Sequence, residues 1–68
     1  MFIVEIENRN THVSKGFLIE EEYRGKVGFG LTSNPLHAYQ FKCDHQAMKA
    51  GMELVEGSPS LRLIVREV

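Results

Sequence analysis

The sequence predicts an α+β fold, in which a four-stranded, mainly antiparallel sheet carries one α-helix on one face. Two observations lead to this prediction: apolar residues alternate with polar ones in several short segments, and one longer segment has helical spacing. The predicted order is β-β-β-turn-α-β. With 68 residues, the chain is expected to form one small domain over residues 1–68 with a thin core.

Alternation of side chains locates the strands. In FIVEIE, residues 2–7, Phe2, Val4 and Ile6 face the opposite way from Ile3. Three further strands are predicted over residues 16–21, 27–31 and 61–68.

The third predicted strand contains two glycines. Gly28 and Gly30 alternate with apolar residues, so one face of this strand has no side chains. Interior glycine weakens a strand, which indicates a sheet edge, a bulge or a close approach by other backbone.

A polar cap and a glycine delimit the helix. Asp44 is predicted to be the N-cap and Gly57 the C′ residue, with the helix over residues 45–56. Gly51 lowers helix stability by about 1 kcal/mol relative to alanine, and we expect it to let the helix approach the sheet closely. Residues at helical spacing form the predicted buried stripe: Ala47, Met48, Gly51, Met52, Leu54 and Val55.

A break precedes this helix. Pro35 follows Asn34 and favours a single helical turn, because its missing N–H has no intrahelical partner at that position. Thr32 or Ser33 is predicted to cap this turn.

Composition excludes several classes of protein. The net charge of −1 provides no general attraction for nucleic acid. No apolar run approaches the roughly 20 residues of a membrane span, and the first residues do not resemble a secretion signal, so a cytoplasmic protein is expected. A single cysteine excludes an intramolecular disulfide.

His37, Cys43 and His45 are the residues that a catalytic or metal-binding interpretation would use. Their spacing matches no common zinc motif, and the carboxylate of Asp44 beside the thiol disfavours a reactive thiolate. We therefore predict no catalytic residue, no metal site and no cofactor.

One helix cannot cover both faces of the sheet, so the second face is the first candidate interaction surface. Apolar residues within a charged rim are typical of partner or dimer surfaces. The predicted surface consists of Ile3, Leu18, Ile64, Arg62 and Arg66. The edge strand at residues 28–31 is a second candidate, because its unpaired backbone groups could accept a partner strand.

A small group of cations gives an alternative function. Lys15, Arg24 and Lys26 are predicted as nucleic-acid contacts, and the competing explanation is a charged hairpin tip exposed to solvent.

The chain also resembles small, mostly uncharacterised phage and prophage proteins with two extended strands, a short turn and a helix. The matching residues are Phe2-Ile3-Val4, Gly16-Phe17-Leu18, Leu31-Thr32, Ala38 with Phe41, and Ala47 with Met48. The resemblance implies a small α+β domain without catalytic residues that works by attaching to a host protein. The leading prediction is a non-enzymatic protein-interaction module that binds a protein partner or a second copy of itself as a homodimer, and the alternative is a small nucleic-acid-binding protein.

Overall fold

The computed structural model describes residues 1–68 and contains one four-stranded sheet and one α-helix. The elements, in chain order, are β1 (Phe2–Asn8), β2 (Ser14–Tyr23), β3 (Lys26–Thr32), a single 3₁₀ turn (Pro35–His37), α1 (Asp44–Val55) and β4 (Leu61–Glu67). Every strand pair is antiparallel and the spatial order is β3-β2-β1-β4. The predicted α+β fold is confirmed, and β3 is an edge strand as its glycines indicated. The single α-helix, α1, lacks the length and the apolar character that a membrane-spanning helix requires.

The register of the central strands separates the two faces of the sheet. Val4 pairs with Val65 and Ile6 pairs with Leu63, and all four side chains face α1. The residues between them have the opposite orientation, because side chains alternate along a strand. We call the face opposite α1 the open face.

The core lies between α1 and the sheet. Its buried members are Val4, Ile6, Leu18, Phe41, Ala47 and Ala50. The strand contacts of α1 are shared about equally between β1 and β4. A Cβ atom at Gly51 would lie 3.0 Å from Cγ1 of Val4 and 3.2 Å from Cβ of Leu63. Gly51 therefore allows the close approach of helix and sheet that the sequence predicted.

The half of the sheet that α1 does not cover is closed by the segment after the 3₁₀ turn. Tyr39 N–H donates to the carbonyl of Leu18 (2.8 Å), and Phe41 exchanges two backbone hydrogen bonds with Phe2 (2.7 and 2.8 Å). These bonds hold the segment between β1 and β2, at the end of the sheet where the two strands are not paired with each other. The rings of Tyr39, Phe41 and Phe29 pack with centroids 4.7 to 5.8 Å apart.

The β2–β3 hairpin is longer than predicted. Residues Arg24 and Gly25 have φ values of 52° and 78°, and Tyr23 pairs with Lys26 around them. Positive φ at both loop residues is typical of the two-residue turns that match strand twist. The hairpin ladder therefore continues through Glu22 and Tyr23, beyond residue 21, where the predicted strand ended.

Two predicted caps are wrong. Cys43, in extended conformation, is the N-cap of α1 and makes no side-chain capping bond, whereas Asp44 is the first helical residue. In that position the carboxylate of Asp44 still interacts favourably with the helix dipole. The 3₁₀ turn is capped by Asn34, whose side chain accepts from the N–H of Leu36 (3.0 Å), and not by Thr32 or Ser33. Gly57, with φ of 79°, is the predicted C′ glycine.

The predicted helix stripe is also partly wrong. Met48 and Met52 are 48% and 56% exposed, whereas Ala50 is buried beside Ala47 and Gly51. The reason is the short distance between α1 and the sheet, which only the side of the helix with small residues can occupy. The methionines are consequently turned to one side of the helix.

The contact at Gly51 generates a stability prediction. We expect Gly51→Ala to destabilise the fold by up to about 2 kcal/mol, because overpacking of 1–3 kcal/mol exceeds the gain of about 1 kcal/mol in helix propensity. Urea unfolding would measure the change. Gly28→Ala is the control, because its Cβ would have nothing within 4 Å. A Gly51→Ala protein more stable than the wild type would show that the helix is not held this closely.

Candidate functional site

The open face carries most of the predicted partner surface. Ile64 is half-buried there, and Arg62 and Arg66 are exposed. Ile3 pairs with Arg66 and so shares this face, but it is only 5% exposed. The prediction therefore placed these four residues on the correct face and overestimated the accessibility of Ile3.

Leu18 was predicted on the same face, and this prediction is wrong. Glu5 pairs with Phe17, so Phe17 lies on the open face and the next residue, Leu18, points toward α1. Leu18 is fully buried in the core. Phe17 and Ile19 take the place that the prediction gave to Leu18, and both are half-buried.

The apolar part of the open face thus consists of Ile3, Phe17, Ile19 and Ile64, which we call the open-face group. Its members come from three neighbouring strands, β2, β1 and β4. The only α-helix lies on the other side of the sheet. The sequence could not distinguish Phe17 from Leu18, because Phe17, Leu18 and Ile19 are all apolar and both faces of β2 are lined by apolar residues.

A buried carboxylate lies within this apolar group. Glu5 is 9% exposed and pairs with Ile64 across the β1–β4 ladder. Arg66 donates to the same carboxylate oxygen, Oε1, from Nε (3.0 Å) and Nη2 (2.8 Å). Because an unpaired buried charge is strongly unfavourable, Glu5 holds the guanidinium of Arg66 against β1.

A second ion pair lies further along the same two strands. Arg62 donates from Nε to Oε1 of Glu7 (2.8 Å), and His12 Nδ1 lies 3.4 Å from the same oxygen. The hydrogen bond from Arg62, with a smaller contribution from His12, holds the pKa of Glu7 below its ordinary value of 4.5. Both arginines of β4 therefore extend across the open face toward β1.

The predicted nucleic-acid contacts do not form one patch. Arg24 and Lys26 lie at the β2–β3 turn, where the Arg24 guanidinium lies 5.3 Å from the ring centre of Tyr23. Lys15 is at the other end of β2, nine residues from Arg24, which corresponds to about 30 Å along a strand. The basic surface at the hairpin tip consequently contains two cations.

Cys43, His37 and His45 are all exposed. No group of three or more histidine, cysteine, aspartate or glutamate side chains is close enough together to hold a metal ion. The segment from His37 to His45 supplies the turn, the aromatic packing of Phe41 and the start of α1.

A pH dependence follows from the ion pair of Glu7. Because the folded pKa lies below the unfolded one, the stabilisation is fully present above about pH 4.5 and is lost as the pH falls through the lowered pKa. We expect Glu7→Gln to flatten the loss of stability below pH 4.5, as measured by urea unfolding at several pH values. Glu22→Gln, on an exposed position of β2, is the control. Equal acid sensitivity of Glu7→Gln and wild type would contradict this assignment.

Comparisons with known proteins provide no relative for this chain. No family model, no curated protein and no solved structure matches it. What the chain does is therefore inferred from its own side chains and surfaces.

Proposed function

We propose that this chain is a non-enzymatic protein-interaction module whose working surface is the open face of its sheet. The observation that carries the proposal is the open-face group, in which Phe17, Ile19 and Ile64 remain half-buried around the buried Ile3 with no helix above them. Apolar surface of this kind is removed from water when a partner binds, which favours association.

Fixed charges around the apolar group support the same function. The Glu5–Arg66 and Glu7–Arg62 pairs are already formed in the free chain, so their side chains are ordered before a partner arrives. Preorganisation of this kind lowers the entropy loss on binding. Paired charges also match the anatomy of interfaces, in which an apolar centre is surrounded by polar groups.

The same proposal includes a phage or prophage origin for the protein and a location in the cytoplasm. The resemblance to phage and prophage proteins supports a role in binding a host protein, with inhibition as one consequence. The exposed, unpaired Cys43 fits a reducing compartment such as the cytoplasm.

Nucleic-acid binding is the second candidate, and one observation favours it: Arg24 and Lys26 lie together at an exposed turn beside the ring of Tyr23. Lys15 cannot join them at about 30 Å. Two cations on a chain with a net charge of −1 release few counterions, and salt-dependent affinity requires several phosphate contacts.

A capture experiment with matched variants tests the proposal. Wild type, Ile19→Lys and Val27→Lys are immobilised and exposed to a bacterial extract, with and without nuclease. Ile19 lies on the open face, whereas Val27 is 65% exposed on β3 and faces the other way. We expect a protein that wild type and Val27→Lys retain, and that Ile19→Lys retains at about one tenth of that amount or less, as expected for a central interface residue.

Each alternative has its own outcome. Equal retention of the same proteins by all three baits would remove the open face as the working surface. Loss of the captured material after nuclease treatment would favour the nucleic-acid function. Circular dichroism of each variant before capture excludes loss of folding as the cause.

A further inference from the structure

β4 forms the free edge of the sheet next to α1. It pairs with β1 alone, and the hydrogen bond from Arg9 N–H to the carbonyl of Ser60 (2.7 Å) fixes which of its residues face β1. In an antiparallel pair, every second residue points its backbone N–H and C=O groups toward the partner strand. Ser60, Arg62, Ile64 and Arg66 therefore face β1, and the residues between them point their backbone groups away from β1. The outward groups at the centre of the strand are those of Leu63 and Val65, which have no partner in the sheet.

This edge lacks the features that normally prevent strands from pairing. Free edges are usually blocked by proline, by bulges or by charged side chains. β4 contains no proline and no glycine, and its β-branched residues Ile64 and Val65 favour extended structure. Its two arginines are bound to carboxylates of β1, and its third charged residue, Glu67, lies at the end of the strand, away from the central residues Leu63 to Val65.

One side of α1 extends this edge with apolar surface. We call Met48, Met52 and Val55 the methionine flank. The opposite side of the helix, with Ala50 and Leu54, lies toward β3. The methionine flank therefore lies on the β4 side, where two of its three members are about half exposed.

We propose that a second copy of this chain binds here, with the two β4 strands paired antiparallel and the two helices side by side. A two-fold axis at Ile64 places Leu63 opposite the second copy's Val65, so that the outward backbone groups of both strands bond to each other. The product is an eight-stranded sheet with two helices on one face. The pairing surface consists of the β4 edge and the methionine flank, and it borders the open face, which carries the proposed function, at Ile64.

The spacing of the elements identifies the occupant. Since α1 contacts β1 and β4 about equally, its axis lies above the midline between them. Neighbouring strands are about 4.8 Å apart, so the helix axis lies about 4.8 Å from a two-fold axis placed half a spacing beyond β4. The two helices are then about 9.6 Å apart, within the 8–10 Å of packed helices. A bare peptide strand would leave the methionine flank exposed, whereas a second copy covers it.

Charges are compatible with this arrangement. Gly51 lies above Leu63, next to Ile64, so Met52 is close to the two-fold axis. In an antiparallel helix pair centred at Met52, Lys49 lies opposite the second copy's Val55 and one residue from its Glu56, and this contact occurs twice. On the other face Arg62 meets the second copy's Arg66, and each arginine already has its own carboxylate.

The size of the core gives a reason for self-association. Only 11 of 68 residues are buried in the isolated chain. Domains of this size commonly gain stability from oligomerisation. Pairing through β4 would bury the methionine flank and shield the half-buried side chains of Leu63 and Val65.

Sedimentation equilibrium tests the dimer, with Met52→Glu as the variant and Leu36→Glu as the control. Both positions are exposed, at 56% and 88%, so both variants are expected to fold. We expect a wild-type dimer and a Leu36→Glu dimer, and an increase of about 100-fold or more in the dissociation constant for Met52→Glu, because like charges would meet at the two-fold axis.

Amide hydrogen exchange, compared between the wild type and the Met52→Glu monomer, identifies the residues of the interface. In the dimer, the amides of Leu63 and Val65 should be protected together with that of Ile64, whereas in the Met52→Glu monomer only Ile64 keeps its protection. A wild type that stays monomeric to about 1 mM, the concentration range of the weakest specific contacts, would overturn the proposal. So would a dimer in which Leu63 and Val65 exchange as fast as in the monomer. The capture result with Ile19→Lys has no bearing on either outcome.

Discussion

The structure depends on the close contact between α1 and the pair of strands β1 and β4. One helix of 12 residues cannot cover four strands, and this helix covers two. Gly51 and the small side chains of Ala47 and Ala50 bring its backbone near the sheet, so that Val4 and Ile6 become fully buried. The larger residues of the helix are thereby excluded from the core. The position of the helix thus determines both the buried core and the exposed methionine flank.

The same asymmetry explains the rest of the core. β2 and β3 have no helix above them, so the rings of Phe29, Tyr39 and Phe41 fill that side. The backbone of the segment from Tyr39 to Phe41 is hydrogen-bonded to Phe2 of β1 and to Leu18 of β2. These bonds make the segment part of the sheet at one end. The segment between β3 and α1 therefore has a structural role, and its histidine and cysteine side chains are exposed.

The sequence predicted the fold class, the element order and the C-terminal end of the helix, because these depend on local signals. Alternation in residues 2–7 and Gly57 after the helix are such signals. The face assignment of Leu18 failed because its neighbours on both sides are also apolar, and only the register with β1 distinguishes them. The prediction that Met48 and Met52 are buried failed for a related reason. Helical spacing cannot show which side of a broad apolar stripe approaches the sheet. Both errors concern tertiary register, which a single strand or helix does not encode.

The two arginines of β4 link the open face to the free edge. By bonding to Glu5 and Glu7, they place charge within the open face and leave the centre of β4 without an unpaired charge. Pairing of two β4 strands would then bring Ile64 next to the second copy's Ile64 and join two open-face groups into one continuous surface. A two-fold surface binds two partner molecules or one partner with matching symmetry. Pairing of the β4 edges therefore determines the number and the symmetry of the partner molecules that the open faces can bind.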